Sequence, residues 1–270
     1  MNDLQITELN LLKCFLDICD TLEIKYFLVC GSALGAVKYG GFIPWDDDLD
    51  VGMYRRDSER FLENAPPMLP DNVFLQSYES DNAYPQIFAK LRNSDTTYIE
   101  KTVAKLDMNH GVYIDIFPLD GYPRLRIKQS MLEFRKKIYK RLISCNFDAD
   151  RGFLGKLYVS VFRFFKIHKY TNSILKKYEK MISKYCIEDS DLICNHGNWQ
   201  GRLEYASREQ YGDGAWAEFE GLKVRVPERY DEYLTQKYGD WRADLPEDQQ
   251  VGHHYYEVCD LSKPYTEYLR

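Results

Sequence analysis

The 270-residue sequence predicts an α/β fold of the α+β type, a mixed β-sheet flanked by helices with a basic helical insertion. Three observations carry this. A helix, a strand, a glycine turn, a second helix and an acidic strand follow one another within residues 6–53. Short runs rich in β-branched and aromatic residues recur as far as residue 117. Beyond residue 127 the periodicity becomes helical and the charge turns strongly positive. The organisation expected is a core at 1–123, a basic amphipathic segment at 124–185, and a C-terminal part at 186–270 that completes the core.

The opening helix, about 6–22, sets Leu9, Leu12, Phe15, Leu16 and Cys19 on one face. Residues 26–30 read as a buried strand ended by Gly31 and Ser32, which open a short helix through Val37 closed by Gly40 and Gly41. A second strand at 49–53 is entered through Asp46, Asp47 and Asp48. A polar helix at about 57–63 is stopped by Pro66, Pro67 and Pro70. Runs at 73–77, 87–92, 96–100 and 112–117 have the length and residue types of strands. Helical periodicity fills 127–185, interrupted near 147–155. The remainder is mixed and rich in Tyr and Trp, with turn signals at Gly197, Gly212, Gly214 and Gly239. No internal repeat breaks the chain into units.

The chain carries 36 basic and 42 acidic side chains, a formal net charge of -6. That total hides a segregation. Residues 124–184 hold 17 Lys or Arg and 4 Asp or Glu, leaving 19 basic and 38 acidic elsewhere. Within the basic stretch, residues 153–169 place Leu154, Leu157, Val161, Phe164 and Phe165 at steps of three and four, with Lys156, Arg163, Lys166, His168 and Lys169 between them. On composition alone this is a core helix with solvated cations; the same pattern suits an anionic membrane surface. No apolar run approaches the roughly 20 residues of a bilayer span, and the start lacks the features of a secretory signal. The seven cysteines form no CxxC pair, so reduced thiols in a cytoplasmic protein are expected. Cys186, Cys194 and His196 have an irregular spacing without a fourth ligand, and no zinc is expected. The basic stretch carries no nucleic-acid-binding signature, and no nucleic-acid partner is expected.

Asp48 and Asp50 alternate with Leu49 and Val51, so on an extended strand both carboxylates share a face. Asp115, between Ile114 and Ile116, is an acid on a similarly apolar strand and can meet them from a neighbour. Converging carboxylates suit Mg²⁺ or Mn²⁺, hard ions that also bind substrate phosphates. Ahead of them, Gly31 and Ser32 end a strand and open a helix, where backbone N–H groups can receive phosphate oxygens. Lys90 and Arg92 share one face of a predicted strand and are candidates for the same phosphates. Each feature has an ordinary reading: a solvated acidic loop, an edge-strand charge, exposed strand cations. Their order along the chain is what favours a site.

The string GSALGAVKYGGFIPWDDDLDVGM at 31–53 resembles the signature of the LicD family, a branch of the nucleotidyltransferase superfamily whose members transfer phosphocholine or related phospho-alcohols to glycans. KLRNSDTTYIE at 90–100, GVYIDIFPLDGY at 111–122 and FEGLKVRVPERYDEYLTQKYGDW at 219–241 resemble later family blocks, in the expected order. The resemblance spans about 22–256 and is weakest over 124–184. It implies a nucleotidyltransferase-like catalytic core with Gly31 and Ser32 at the donor phosphates, and Asp48, Asp50 and Asp115 as catalytic acids that bind two divalent ions. The implied reaction transfers phosphocholine from CDP-choline to a sugar hydroxyl of a lipid-linked glycan precursor such as a teichoic acid or lipopolysaccharide unit, releasing CMP, with Asp115 helping to deprotonate the acceptor.

A lipid-borne acceptor would place the protein peripherally on the inner face of the cell membrane, touching it through 153–169. Donors carrying ribitol or glycerol, nucleotidyl transfer, and a catalytically silent partner in polysaccharide assembly are the alternatives. Trp216, Phe219 and Tyr238 are candidates for aromatic contact with choline, though a structural role comes first for each, and Glu220 and Asp240 for charge pairing with it; Trp45 is read first as a core residue and otherwise as shaping the pocket mouth. His253 and His254 could approach the donor phosphates or a metal, and are read first as packing or solvent residues.

Overall fold

The structure, a computed structural model, describes residues 1–148, 152–198, 200–252 and 254–269. His253 and the side chains of Leu154 and Arg163 lie outside the described residues. Helix α1 spans Asp3–Thr21 and starts at a capping box in which Asn2 and Gln5 satisfy each other's backbone N–H groups. Strand β1 (Tyr26–Leu28) leads into α2 (Cys30–Tyr39), and β2 (Asp50–Tyr54) into α3 (Arg55–Asn64). Strands β3 (Val73–Gln76), β4 (Ala89–Asn93), β5 (Thr97–Glu100) and β6 (Val112–Gly121) follow. The basic segment forms α4 (Arg126–Ile143), α5 (Phe153–Phe164) and α6 (Thr171–Ile182). After it come β7 (Leu192–Asn195), β8 (Tyr205–Ser207), α7 (Arg208–Tyr211), β9 (Ala215–Phe219), β10 (Leu222–Val226), α8 (Tyr230–Tyr238) and β11 (Tyr256–Asp260).

The main sheet is mixed, in the order β1-β2-β6-β4-β3, with β7 and then β8 added beside β6. β2 and β6 run parallel; the other pairs in this sheet are antiparallel. Two small sheets complete the fold, the β9–β10 hairpin and β5 paired with β11. Strand β6 is the axis. Residues 112–116 pair with β4 and 119–121 with β7 along one edge, while 115–119 pair with β2 along the other.

The core packs α1, β1, β2 and β6 around Leu12, Phe15, Phe27, Leu49, Val51, and Ile116, all essentially without solvent contact. A second cluster, built on Leu132, Ile143, Leu175, Tyr178 and Ile182, holds α4 and α6 together. One ion-pair network ties α3, β6 and α6. The Arg55 guanidinium donates to both oxygens of buried Asp120, at 2.8 and 2.7 Å, and to Glu179 at 2.7 Å.

Candidate active site

The sharpest turn of the chain builds one wall of the site. Val29 is extended, Cys30 has φ +52, and α2 starts at once. That positive φ at a residue with a side chain is strained. Gly31 and Ser32, expected to open the helix, lie in its first turn, which starts one residue earlier at Cys30. The Gly31 and Ser32 N–H groups have no partner among the described residues, as the first N–H groups of a helix lack intrahelical acceptors. The Ser32 hydroxyl accepts a 2.8 Å hydrogen bond from the Asp50 N–H, so it fixes the start of β2. Gly31 lets the Asp46 carboxylate approach closely: a Cβ there would lie 2.8 Å from Asp46 Oδ2, which would have to move.

The acids meet in register. Asp50 on β2 pairs with Asp115 on the parallel strand β6, and Asp115 pairs across the other edge with Lys90 on β4. Residues paired in a ladder share a face. One row therefore reads Asp50, Asp115, Lys90. Backbone bonds pin it: Val29 N–H to Asp50 O at 3.1 Å, and Asp115 N–H to Leu49 O at 2.8 Å. Lys90 Nζ lies 2.9 Å from Asp115 Oδ1, 3.6 Å from Glu100 and 3.1 Å from the centre of the Tyr113 ring.

Arg92, two residues on, is fully buried. It donates to Gln76 and to Gly111 O and lies 3.8 Å from Glu100. Of the two candidate cations, Lys90 stands at the acids; Arg92 reaches them only through Glu100 and Tyr113.

The sequence reading missed four participants. Glu8 of α1 is 2% exposed with Oε2 unpartnered, and burial together with Asp48, Asp46 and Asp47 raises its pKa well above the usual carboxylate range. Gln5, one turn earlier, holds the acidic loop by donating to the carbonyls of Ile43 and Asp46. Both occupy buried helical positions in step with Leu12 and Phe15, a signal present in the sequence. Glu100 of β5 faces Lys90 and Arg92, which overcome burial and lower its pKa.

His254, read as a packing residue, straps the acidic loop: its N–H donates to Asp47 Oδ2 at 3.0 Å, and its Nδ1 lies 3.1 Å from Asp47 Oδ1 and 3.8 Å from Asp48. Burial opposes its charge, but the Asp47 bond and the Asp48 and Glu100 charges outweigh burial and raise its pKa to about 10.

Whether these residues fit a divalent cation is decided by charge balance. Burial and the Asp48 and Asp115 charges push the Asp50 pKa well up, and its carboxylate has no hydrogen bond or ion pair among the described residues. Burial and repulsion from Asp48 and Asp47 raise Asp46 to about 8. Asp46, Asp47, Asp48, Asp50, Asp115, Glu8 and Glu100 outnumber the neighbouring cations Lys90, Arg92 and His254. An orphaned carboxylate in an acid-rich pocket is what a hard cation would neutralise, so the residues fit the group. Among the described residues, the ligating atoms within 4.8 Å of one another belong to Asp47, Asp48 and His254; Asp48, Asp50 and Asp115 are not drawn that close.

Other candidates fall into place. Tyr238, at the end of α8, has its pKa raised by burial and by the influence of Cys30, Asp50, Asp46 and Asp48. Phe219 is buried against Phe42 at 4.8 Å, and Trp216 is covered by Lys223 and Arg225 at 4.4 and 4.6 Å. Trp45 meets Tyr39 edge-on, and Asp240 is exposed. Glu220 accepts from the Phe42 N–H and braces the loop after α2. Cys194 lies 3.4 Å from His196 Nδ1, both buried, while Cys186 is exposed.

Residues 23–149 match the LicD/FKTN/FKRP nucleotidyltransferase domain. The whole chain is similar to the lipopolysaccharide cholinephosphotransferase LicD of Haemophilus influenzae, 29% identical over 97% of this chain and 98% of that one. It is 42% identical to the ribitol 5-phosphate transferase FKRP of Homo sapiens and of Mus musculus over 123 residues, 45% of this chain but 22% of those proteins. Through residues 23–149 the chain is thus similar to the LicD/FKTN/FKRP nucleotidyltransferase domain, and over nearly its whole length to a LicD cholinephosphotransferase.

Proposed function

We propose that this protein is a phospho-alcohol transferase that moves phosphocholine from CDP-choline to a sugar hydroxyl of a lipid-linked cell-surface glycan precursor, such as a teichoic acid or lipopolysaccharide unit, and releases CMP. One observation carries the chemistry: the buried, unpaired Asp50 carboxylate in register with Asp115 and beside Asp48. The choice of choline is supported by the end-to-end similarity to a lipopolysaccharide cholinephosphotransferase.

Mg²⁺ or Mn²⁺ held by Asp48, Asp50 and Asp115 would neutralise the donor diphosphate. The chain's own residues do the rest. The free N–H groups of Gly31 and Ser32 at the start of α2 receive phosphate oxygens, and the Ser32 hydroxyl keeps Asp50 in place. Lys90 brings positive charge to the floor of the site. The acceptor oxygen forms a bond to the phosphorus of phosphocholine as the bond from that phosphorus to the CMP oxygen breaks. CMP departs with the electron pair, and the acceptor proton passes to Asp115. Without metal, burial raises the Asp115 pKa despite the Lys90 contact. The half-exposed Tyr238 ring, at the same acids, is a contact for the donor's cationic headgroup.

No helix among the described residues is long and apolar enough to cross a membrane; a lipid-linked acceptor is met peripherally at the inner face. Release of CMP from CDP-choline by the purified protein, with Mg²⁺ or Mn²⁺ and a membrane glycolipid extract, tests the reading beside Asp48→Ala. CMP that forms with metal and only with intact Asp48 supports it. Consumption of CDP-ribitol in place of CDP-choline overturns the substrate and keeps the mechanism, the outcome the match to a ribitol 5-phosphate transferase favours. Nucleotide transfer would give a different product. A silent role in assembly requires no metal binding, against which stands the complete set of Asp48, Asp50 and Asp115.

A further inference from the structure

Helix α4 is apolar on two opposite sides. Leu132, Tyr139 and Ile143 face the protein, with Tyr139 stacked on Tyr178 at 5.4 Å. Ile127, Met131, Phe134 and Ile138 point outward, 71%, 59%, 66% and 46% exposed. At about 100° per residue these four fall within roughly 60° of one another, a continuous stripe along the helix. Exposed cations border it: Lys128 and Arg135 on one side, Arg126, Lys137 and Arg141 on the other. The sole acid of α4, Glu133, turns inward to Tyr205 and Lys136.

Helix α5 has no acid at all. Phe153, Leu157, Val161 and Phe164 form its exposed stripe, and Phe165 follows, also exposed. It is attached to the last turn of α4, where the Tyr158 hydroxyl donates to Arg141 O at 3.2 Å and the Arg141 guanidinium covers the Tyr158 ring.

We propose that the outward stripe of α4, together with that of α5, is a docking surface for an anionic lipid bilayer. Charge complementarity identifies the occupant: residues 124–184 carry 17 basic against 4 acidic side chains, and cations on both flanks of an apolar stripe let Lys and Arg stems reach phosphates while the apolar side chains enter the acyl boundary. The surface is joined to the site. Lys140 of α4 donates to Asn198 O, and the Asn198 amide contacts Cys30 Sγ at 4.0 Å, at the turn that carries Gly31. This deepens the reading of a lipid-borne acceptor and rests on it only for the purpose of the surface.

The test is sedimentation of the full chain with phosphatidylcholine vesicles containing or lacking about a quarter phosphatidylglycerol, near 0.1 M salt. Wild type is expected to bind the anionic vesicles at least about tenfold better than the neutral ones. Phe134→Ser with Ile127→Ser is expected to lose at least about tenfold of that binding with an unchanged melting temperature, because both side chains are already in solvent. Phe134→Trp should report burial by a blue-shifted emission on anionic vesicles. Equal binding to both vesicles, or a double variant that binds like wild type, overturns the proposal. So does a wild-type dimer in light scattering that the double variant converts to monomer, since the occupant is then a second copy. A loss with Phe153→Ser and Phe164→Ser alone removes α4 from the surface. No donor or acceptor enters these measurements, so they fail or succeed independently of CMP release.

Discussion

Replacing Asp50 by Asn should make the protein more stable and nearly inactive, and the two effects have one cause. Asp50 and Asp115 pair across parallel strands, whose spacing is about 4.8 Å. Two unit charges roughly 5 Å apart at an effective dielectric near 20 repel by about 3 kcal/mol. Asp48 adds to this, and no protein cation contacts the Asp50 carboxylate among the described residues. Asparagine keeps the shape and removes the charge. The raised Asp50 pKa means that wild type already escapes part of the repulsion by binding a proton, so the expected gain is about 1–3 kcal/mol. For a chain of this size that corresponds to a rise of roughly 2–10 °C in melting temperature, measured at neutral pH in EDTA. CMP release from CDP-choline should fall at least about a hundredfold. Added Mg²⁺ should raise the wild-type melting temperature and leave the variant almost unmoved. An Asp50→Asn variant that melts below wild type in EDTA, or keeps activity within tenfold, refutes the reasoning.

Gly31→Ala, whose Cβ would meet Asp46 Oδ2 at 2.8 Å, should reduce CMP release at least about tenfold while shifting stability by no more than about 1–3 kcal/mol in a urea titration. Arg55→Ala strips the partner from Asp120, 1% exposed, and should cost about 3–5 kcal/mol in the same titration. Glu8→Gln removes a carboxyl that is buried only at the expense of its charge. Because the folded pKa is raised, the stability of wild type is fully present below the unfolded value of about 4.5 and is lost as pH rises toward the folded pKa. The variant should therefore match wild type near pH 4 and exceed it by about 1–2 kcal/mol near pH 8 in metal-free buffer.

The strands that carry Asp50 and Asp115 were legible because strand periodicity is local, and Ile114 and Ile116 marked Asp115 as an acid on a buried strand; Asp48, expected on the same strand as Asp50, precedes β2. What local pattern cannot supply is the neighbour across the fold. Glu8 comes from the first helix and His254 from a strap some two hundred residues after Asp47, and only packing joins them. Strand β6 was expected to stop at Phe117 because Pro118 has no N–H to give a ladder. It continues because β4 pairs only as far as Ile116 and β7 begins at Leu119, so Pro118 sits at the gap between two partners on that edge. Cys30 was read as the last strand residue since Val29-Cys30 continues the apolar run; its left-handed backbone leaves no mark in composition. The outward stripe of α4 escaped notice for a related reason. With apolar residues on opposite sides of one helix, a search for a single amphipathic face averages the two away.

The placement of charge explains why one chain contains both an acid-rich pocket and a strongly basic segment. If the segment served to neutralise the acids, its side chains would pack against them. Among the described residues, the cations paired with Asp115, Glu100 and Asp47 include Lys90, Arg92 and His254, all from outside 124–184. The inward cations of α4 serve other partners, Lys136 with Glu133 and Tyr205, Lys140 with Asn198. The remaining cations of that helix turn to solvent beside an apolar stripe. Charges separated by more than about one Debye length, near 10 Å at 0.1 M salt, are largely screened from one another. The pocket is thus left rich in acids and the helices rich in exposed cations, in a molecule whose net charge of -6 describes neither.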